Sequence, residues 1–132
     1  MLELQVLGWA AVLAMVQLIA FAIPANREIG SEWLAGPRDD TPPGEMSVRT
    51  ARLQRAFQNH VEGLVLFTPA VVAVAGLGAS GWLTETCAVV YLLARIAYVP
   101  CYWAGLPWVR SGVWAVGFFA TLLMLLAALL TG

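Results

Sequence analysis

Four long apolar runs, separated by one polar segment and two short turns, set the pattern of the chain. The first covers residues 4–25, the third 82–103 and the fourth 108–130. The second is apolar over 61–77, and its helix starts earlier, near Val48, with a membrane span of about 51–77. Each is close to the roughly 20 residues needed to cross about 30 Å of hydrocarbon. No ten-residue alternation of polar and apolar positions appears, so these are helices and not barrel strands. The segment 26–47 carries Gly30, Gly36, Pro37, Pro42, Pro43 and Gly44 among mixed charges, a composition that breaks helices and belongs in water. The other links, Gly78-Ala79-Ser80-Gly81 and the stretch around Gly105 and Pro107, are tight. Short links make consecutive helices antiparallel, so the pattern predicts an all-α, integral membrane four-helix up-down bundle, a single domain over 1–132. Pro69 predicts a local kink in the second span, of a kind membrane helices tolerate.

Composition agrees. Hydrophobic residues make up 61% of the chain and charged residues 11%, against roughly 45–50% and about 25% in soluble proteins. A chain this apolar suits a bilayer and not water. All seven basic residues are Arg, too few and too close to apolar runs to form a nucleic-acid surface. Arg27, Arg38, Arg49, Arg52 and Arg55 flank the first loop and Arg110 the third, while the opposite face offers only Glu3 and Glu85. The positive-inside rule puts those loops in the cytoplasm and both termini outside. The first run lacks a basic start and exceeds a signal peptide's apolar core, so it reads as a retained span. The Lys-free, Ala- and Val-rich composition suggests a bacterial inner membrane. Cys87 and Cys101 read as buried membrane thiols, and with His60 as the only histidine a metal site lacks ligands.

Some polar residues lie where apolar ones are expected. Arg52, Arg55, Asn59 and Glu62 sit at offsets 0, 3, 7 and 10, one stripe of a helix that descends from the interface into the membrane. A snorkelling helix end accounts for Arg49 and Arg52 but not for Glu62. On the third span Tyr91, Arg95, Tyr98 and Tyr102 share a face at offsets 0, 4, 7 and 11. A charge at the depth of Arg95 costs about 2.5–3.5 kcal/mol on insertion scales. Glu62 is the nearest acid, so an Arg95–Glu62 ion pair joining the second and third helices is expected, either as architecture or as part of a site. Arg110 and Ser111 open the fourth span, with Trp114 one turn on; Arg110 alone also fits plain topology marking. Together these side chains suit a polar, anionic ligand presented to an apolar neighbour.

The run Arg55-Ala56-Phe57-Gln58-Asn59-His60-Val61-Glu62 resembles the R-A-x-x-N-x-x-E signature on the second helix of the MAPEG family, membrane-associated proteins in eicosanoid and glutathione metabolism. Arg95 followed by Tyr98 and Tyr102 is similar to the family's third-helix pattern, and Arg110 stands where the family has an Arg at the start of helix four. The resemblance implies a homotrimer with glutathione as co-substrate, held near the cytoplasmic face. It implies glutathione contacts from Arg55, Asn59, Glu62, Tyr98 and Tyr102, with Gln58, Arg27, Arg52 and Ser111 as further candidates. It makes Arg110 the residue that stabilises the thiolate. Trp114 departs from the prostaglandin-type branch, which has Tyr there, and Gln58 lacks the charge some members carry. The expected partners are other copies of the chain, membrane lipid and a lipophilic small-molecule substrate.

Two functional readings follow. One is a glutathione-dependent transferase or peroxidase acting on a lipophilic electrophile or lipid hydroperoxide. The other is a non-catalytic trimer that binds glutathione or another anionic amphiphile. A small transporter fits less well, since no inverted repeat or pair of broken helices is visible.

Overall fold

A computed structural model describes residues 1–131. It contains α1 (Leu2–Glu28), α2 (Ser31–Ala35), α3 (Val48–Gly76), α4 (Trp82–Trp103) and α5 (Pro107–Thr131). The four long helices are each long and apolar enough to cross a membrane. The chain is an integral, multi-pass membrane protein built as an all-α bundle of four spans. The connection after the first span is not wholly irregular, because α1 runs on to Glu28 and the short α2 follows Gly30.

The helix ends are set by local chemistry. Ser47 caps α3, its Oγ accepting from the Thr50 amide at 3.2 Å. Thr50 Oγ1 and the Ser47 amide both donate to the Glu28 carboxylate, clasping the end of α1 to the start of α3. At the end of α3, Gly78 takes φ +65° and the Ala79 amide reaches back to Val74 O, closing a Schellman motif. The same device ends α4. Gly105 has φ +74°, the Leu106 amide bonds Cys101 O, and Pro107 then occupies the first position of α5, where its missing N–H costs nothing. At the far end of the bundle Glu3 is buried, accepting from Ser80 Oγ at 2.8 Å and Thr84 Oγ1 at 2.7 Å. It ties α1 to the α3–α4 turn.

In cross-section α1 and α5 lie on opposite corners without touching, each packed against both α3 and α4. Helices α3 and α4 meet across the short diagonal. The half of the bundle near Glu3 has an apolar core that includes Val6, Ala10, Phe67, Ala70, Val71, Val74, Ala88, Tyr91, Ala120, Met124 and Ala128. Alanines there let the backbones approach, the usual means of helix association in lipid. The other half, which holds every arginine, carries a buried polar layer (below). No more than 39% of any span's apolar window is buried within the chain itself. Side chains such as Trp9, Met15, Val65 and Leu130 therefore face lipid or another protein surface.

Candidate active site at the arginine-rich end

The site grows from one buried layer. Arg95, on α4, is only 4% exposed. Its Nε donates to His60 Nδ1 at 3.2 Å and its Nη1 to Asn59 Oδ1 at 3.0 Å, while its guanidinium lies 4.4 Å from the Tyr98 ring centroid. His60, fully buried, completes the link, its Nε2 lying 2.8 Å from Ala10 O on α1. An acceptor role at Nδ1 and a carbonyl at Nε2 fix the neutral ring with its proton on Nε2. Three helices are thus tied at one level.

This arrangement corrects the expected Arg95–Glu62 pair. Arg95 spends two of its nitrogens on His60 and Asn59, and Nη2 has no partner among the described residues. The reason lies in helix geometry. At 3.6 residues per turn His60 and Glu62 point about 200° apart around α3, with Asn59 between them. Arg95 enters on the His60 side; Glu62 is left exposed on the other.

That other side faces a cavity of about 350 Å³, within the range of small-ligand pockets. It is lined by Arg55, Gln58, Asn59 and Glu62 from α3, Tyr98 and Tyr102 from α4, and Arg110, Ser111 and Trp114 from α5. The α3 residues face it because they recur on one stripe of the helix. Tyr102 sits between two cations. Its hydroxyl accepts from Arg55 Nε at 3.1 Å, and the Arg55 and Arg110 guanidiniums lie 5.7 and 4.6 Å from its ring centroid. The Tyr98 and Tyr102 rings are 5.6 Å apart. Two guanidiniums against one carboxylate leave the wall net positive, suited to an anionic ligand that also carries an amine.

Of the candidates read from the sequence, Arg55, Gln58, Asn59, Glu62, Tyr98, Tyr102, Arg110 and Ser111 come together here. Arg27 and Arg52 do not. Arg27 is exposed at the end of α1. Arg52 turns toward the α4–α5 link, where its Nη1 donates to Trp103 O at 3.3 Å and its guanidinium lies against Gly105. Arg49 stacks on Trp103 from the same side, 4.5 Å from the ring centroid. Sequence reasoning missed His60, counted only as a metal ligand without company. Its signal was a lone imidazole beside Asn59, within the polar run Gln58-Asn59-His60 of a membrane span. It also left Trp114 out of the site, although that residue follows Arg110 by one turn.

The family model for the MAPEG family matches residues 6–130. No curated protein and no solved structure matches the chain. A match over nearly the whole length, on a chain of four spanning helices, means that this protein belongs to the MAPEG family.

Proposed function

We propose that the protein is a glutathione-dependent membrane enzyme, a transferase or peroxidase that presents the glutathione thiolate to a lipophilic electrophile or lipid hydroperoxide. The observation that carries this reading is the convergence of Arg55, Asn59, Glu62, Tyr98, Tyr102 and Arg110 on one cavity at the end of the apolar spans. The donor set suits the ligand. Glutathione carries two carboxylates, an amine, two amides and a thiol. Arg55 matches a carboxylate, Glu62 the amine, and the Asn59 side chain and the phenols the remaining polar groups. Arg110 is assigned to the sulfur. A free thiol with pKa near about 8.5 is only slightly ionised at neutral pH, and a drop of about two units, worth about 2.7 kcal/mol, makes the thiolate the major species. A guanidinium within hydrogen-bonding reach of sulfur is a suitable source of that stabilisation. In this reading an electrophile dissolved in the bilayer approaches the sulfur from the lipid side.

The outward apolar surface of the spans suits a homotrimer, the assembly typical of the family. The arginine-rich end is placed in the cytoplasm by the positive-inside rule. The test is direct. Purified protein titrated with millimolar glutathione shows binding by calorimetry and a thiolate absorbance band. Arg110→Ala removes the band and turnover of model electrophiles while the assembly state, read by native mass spectrometry, stays unchanged. Absence of both binding and thiolate absorbance in the unaltered protein overturns the proposal and leaves a non-catalytic binding role.

A further inference from the structure

The connection between α1 and α3 folds back over the end of α1. Glu28 accepts from Ser47 and Thr50, and Gly44 packs so closely on Glu28 O that a Cβ there would collide with it. Between this connection and the helices lies a cavity of about 580 Å³, within the range of small-ligand pockets. It shares no lining residue with the arginine-lined cavity. Leu18, Phe21 and Ala25, on one stripe of α1, supply its apolar lining, and Trp33, Arg38 and Gln54 its polar lining. Leu18 is also 44% exposed on its membrane span, so the apolar lining continues onto the lipid-facing surface. From there to Ile29, which also lines the cavity, α1 rises about 16 Å, from the hydrocarbon to the helix end.

The polar lining carries charges of both signs. Glycines aside, Arg38 alone among the described residues has a positive φ, +60°. Residues with a Cβ seldom adopt that conformation, and where they do the strain often marks a ligand site. Its Nε donates to Leu34 O at 2.7 Å, which leaves the Nη edge of the guanidinium to a ligand. Asp40 Oδ1 accepts from Trp33 Nε1 at 3.1 Å, so a carboxylate is fixed beside the cavity wall that Trp33 forms. A plain anion would meet Asp39 and Asp40 as well as Arg38, two acids against one cation. A neutral lipid would leave Arg38 unused. A group carrying both signs satisfies the cation and the acid together.

We infer that this cavity binds a zwitterionic phospholipid from the leaflet at the arginine-rich end. Its phosphate sits on the Arg38 guanidinium, its amine on the Asp40 carboxylate, and one acyl chain runs along Leu18, Phe21 and Ala25. Gln54, which both donates and accepts, meets the ester linkage. The bound lipid fastens the connection to α1 and α3. This site is separate from the glutathione reading and does not depend on it.

The test uses the full-length protein, stripped of lipid in detergent and titrated with dioleoyl phosphatidylethanolamine, with bound lipid counted by native mass spectrometry. The unaltered protein takes up one lipid per chain in a saturable step, about tenfold more tightly than dioleoyl phosphatidylglycerol or oleate. Arg38→Gly weakens that step about tenfold, the loss of one charge-assisted contact. Glycine takes a positive φ freely, so the connection keeps its course in this variant. Ala22→Phe, which fills the groove from α1, abolishes the step. Arg49→Ala removes a cation that stacks on Trp103 outside the cavity, and leaves uptake unchanged. Absence of a saturable step overturns the inference, as does uptake that Arg38→Gly retains, which is annular lipid. An equal loss in Arg49→Ala means general surface charge and overturns it too. Phosphatidylglycerol or oleate bound as tightly as phosphatidylethanolamine refutes the zwitterion match.

Discussion

Replacing His60 and Arg95, singly and together, tests the buried layer that holds the site. His60→Leu keeps an apolar side chain of similar bulk but removes the acceptor for Arg95 Nε and the bond to Ala10 O. A hydrogen bond to a charged group contributes about 1.5–3 kcal/mol and a neutral one about 0.5–1.5 kcal/mol, so the loss is about 2–4.5 kcal/mol. Arg95→Met loses the bonds to His60 and Asn59, about 3–6 kcal/mol. It is relieved of a buried charge that costs about 2.5–3.5 kcal/mol in a membrane, so the net loss lies between about −0.5 and 3.5 kcal/mol. In the double variant neither partner is left facing a missing one. Its destabilisation falls short of the sum of the singles by about 1.5–3 kcal/mol. The assay is unfolding of the protein in bicelles by titrated dodecyl sulfate, followed by tryptophan fluorescence. Additivity within about 0.5 kcal/mol means that the two side chains do not interact, and the account of this layer fails. The matching cycle on Glu62→Gln and Arg95→Met is expected to be additive, since no bond joins that pair.

The same titration checks two further substitutions. Glu62→Gln leaves unfolding unchanged but weakens glutathione binding about tenfold by calorimetry, the loss of one charge-assisted contact worth about 1.4 kcal/mol; a marked loss of stability would restore the ion pair with Arg95. Thr84→Val removes the 2.7 Å bond to buried Glu3 and the bond from the Gly81 amide, a loss of about 2–4.5 kcal/mol; unchanged unfolding would mean that Glu3 needs no such partner.

The four spans were legible because a bilayer allows few alternatives, and apolar runs near 20 residues admit one solution. Turn chemistry was legible too, in Gly78, Gly105 and Pro107. The helical stripe Arg55, Asn59, Glu62 was readable from spacing, and the cavity brings these residues together. What spacing does not encode is which neighbour stands opposite each face. Glu3 read as a topology charge because its partners, Ser80 and Thr84, lie some 80 residues away in sequence. Arg52 read as part of the stripe, yet it is one turn before Arg55 and level with the α4–α5 link, which captures it. The short α2 was hidden by flanking glycines and prolines that argue for loop on either side.

The Arg95–Glu62 expectation failed for a reason that bears on function. It treated a buried charge as needing an opposite charge, whereas a guanidinium needs acceptors, and a neutral imidazole and an amide oxygen serve. Had Glu62 paired with Arg95, the carboxylate would have been consumed by architecture and unavailable to a ligand amine. Because His60 and Asn59 take that load, the only acid on the cavity wall stays exposed there, opposite Arg55 and Arg110. Within one helical turn His60 is left to structure and Glu62 to the ligand, while Asn59, bonded to Arg95, also lines the cavity. His60, which lines neither cavity but holds Arg95, becomes the residue whose loss is expected to disturb the site without altering its chemistry.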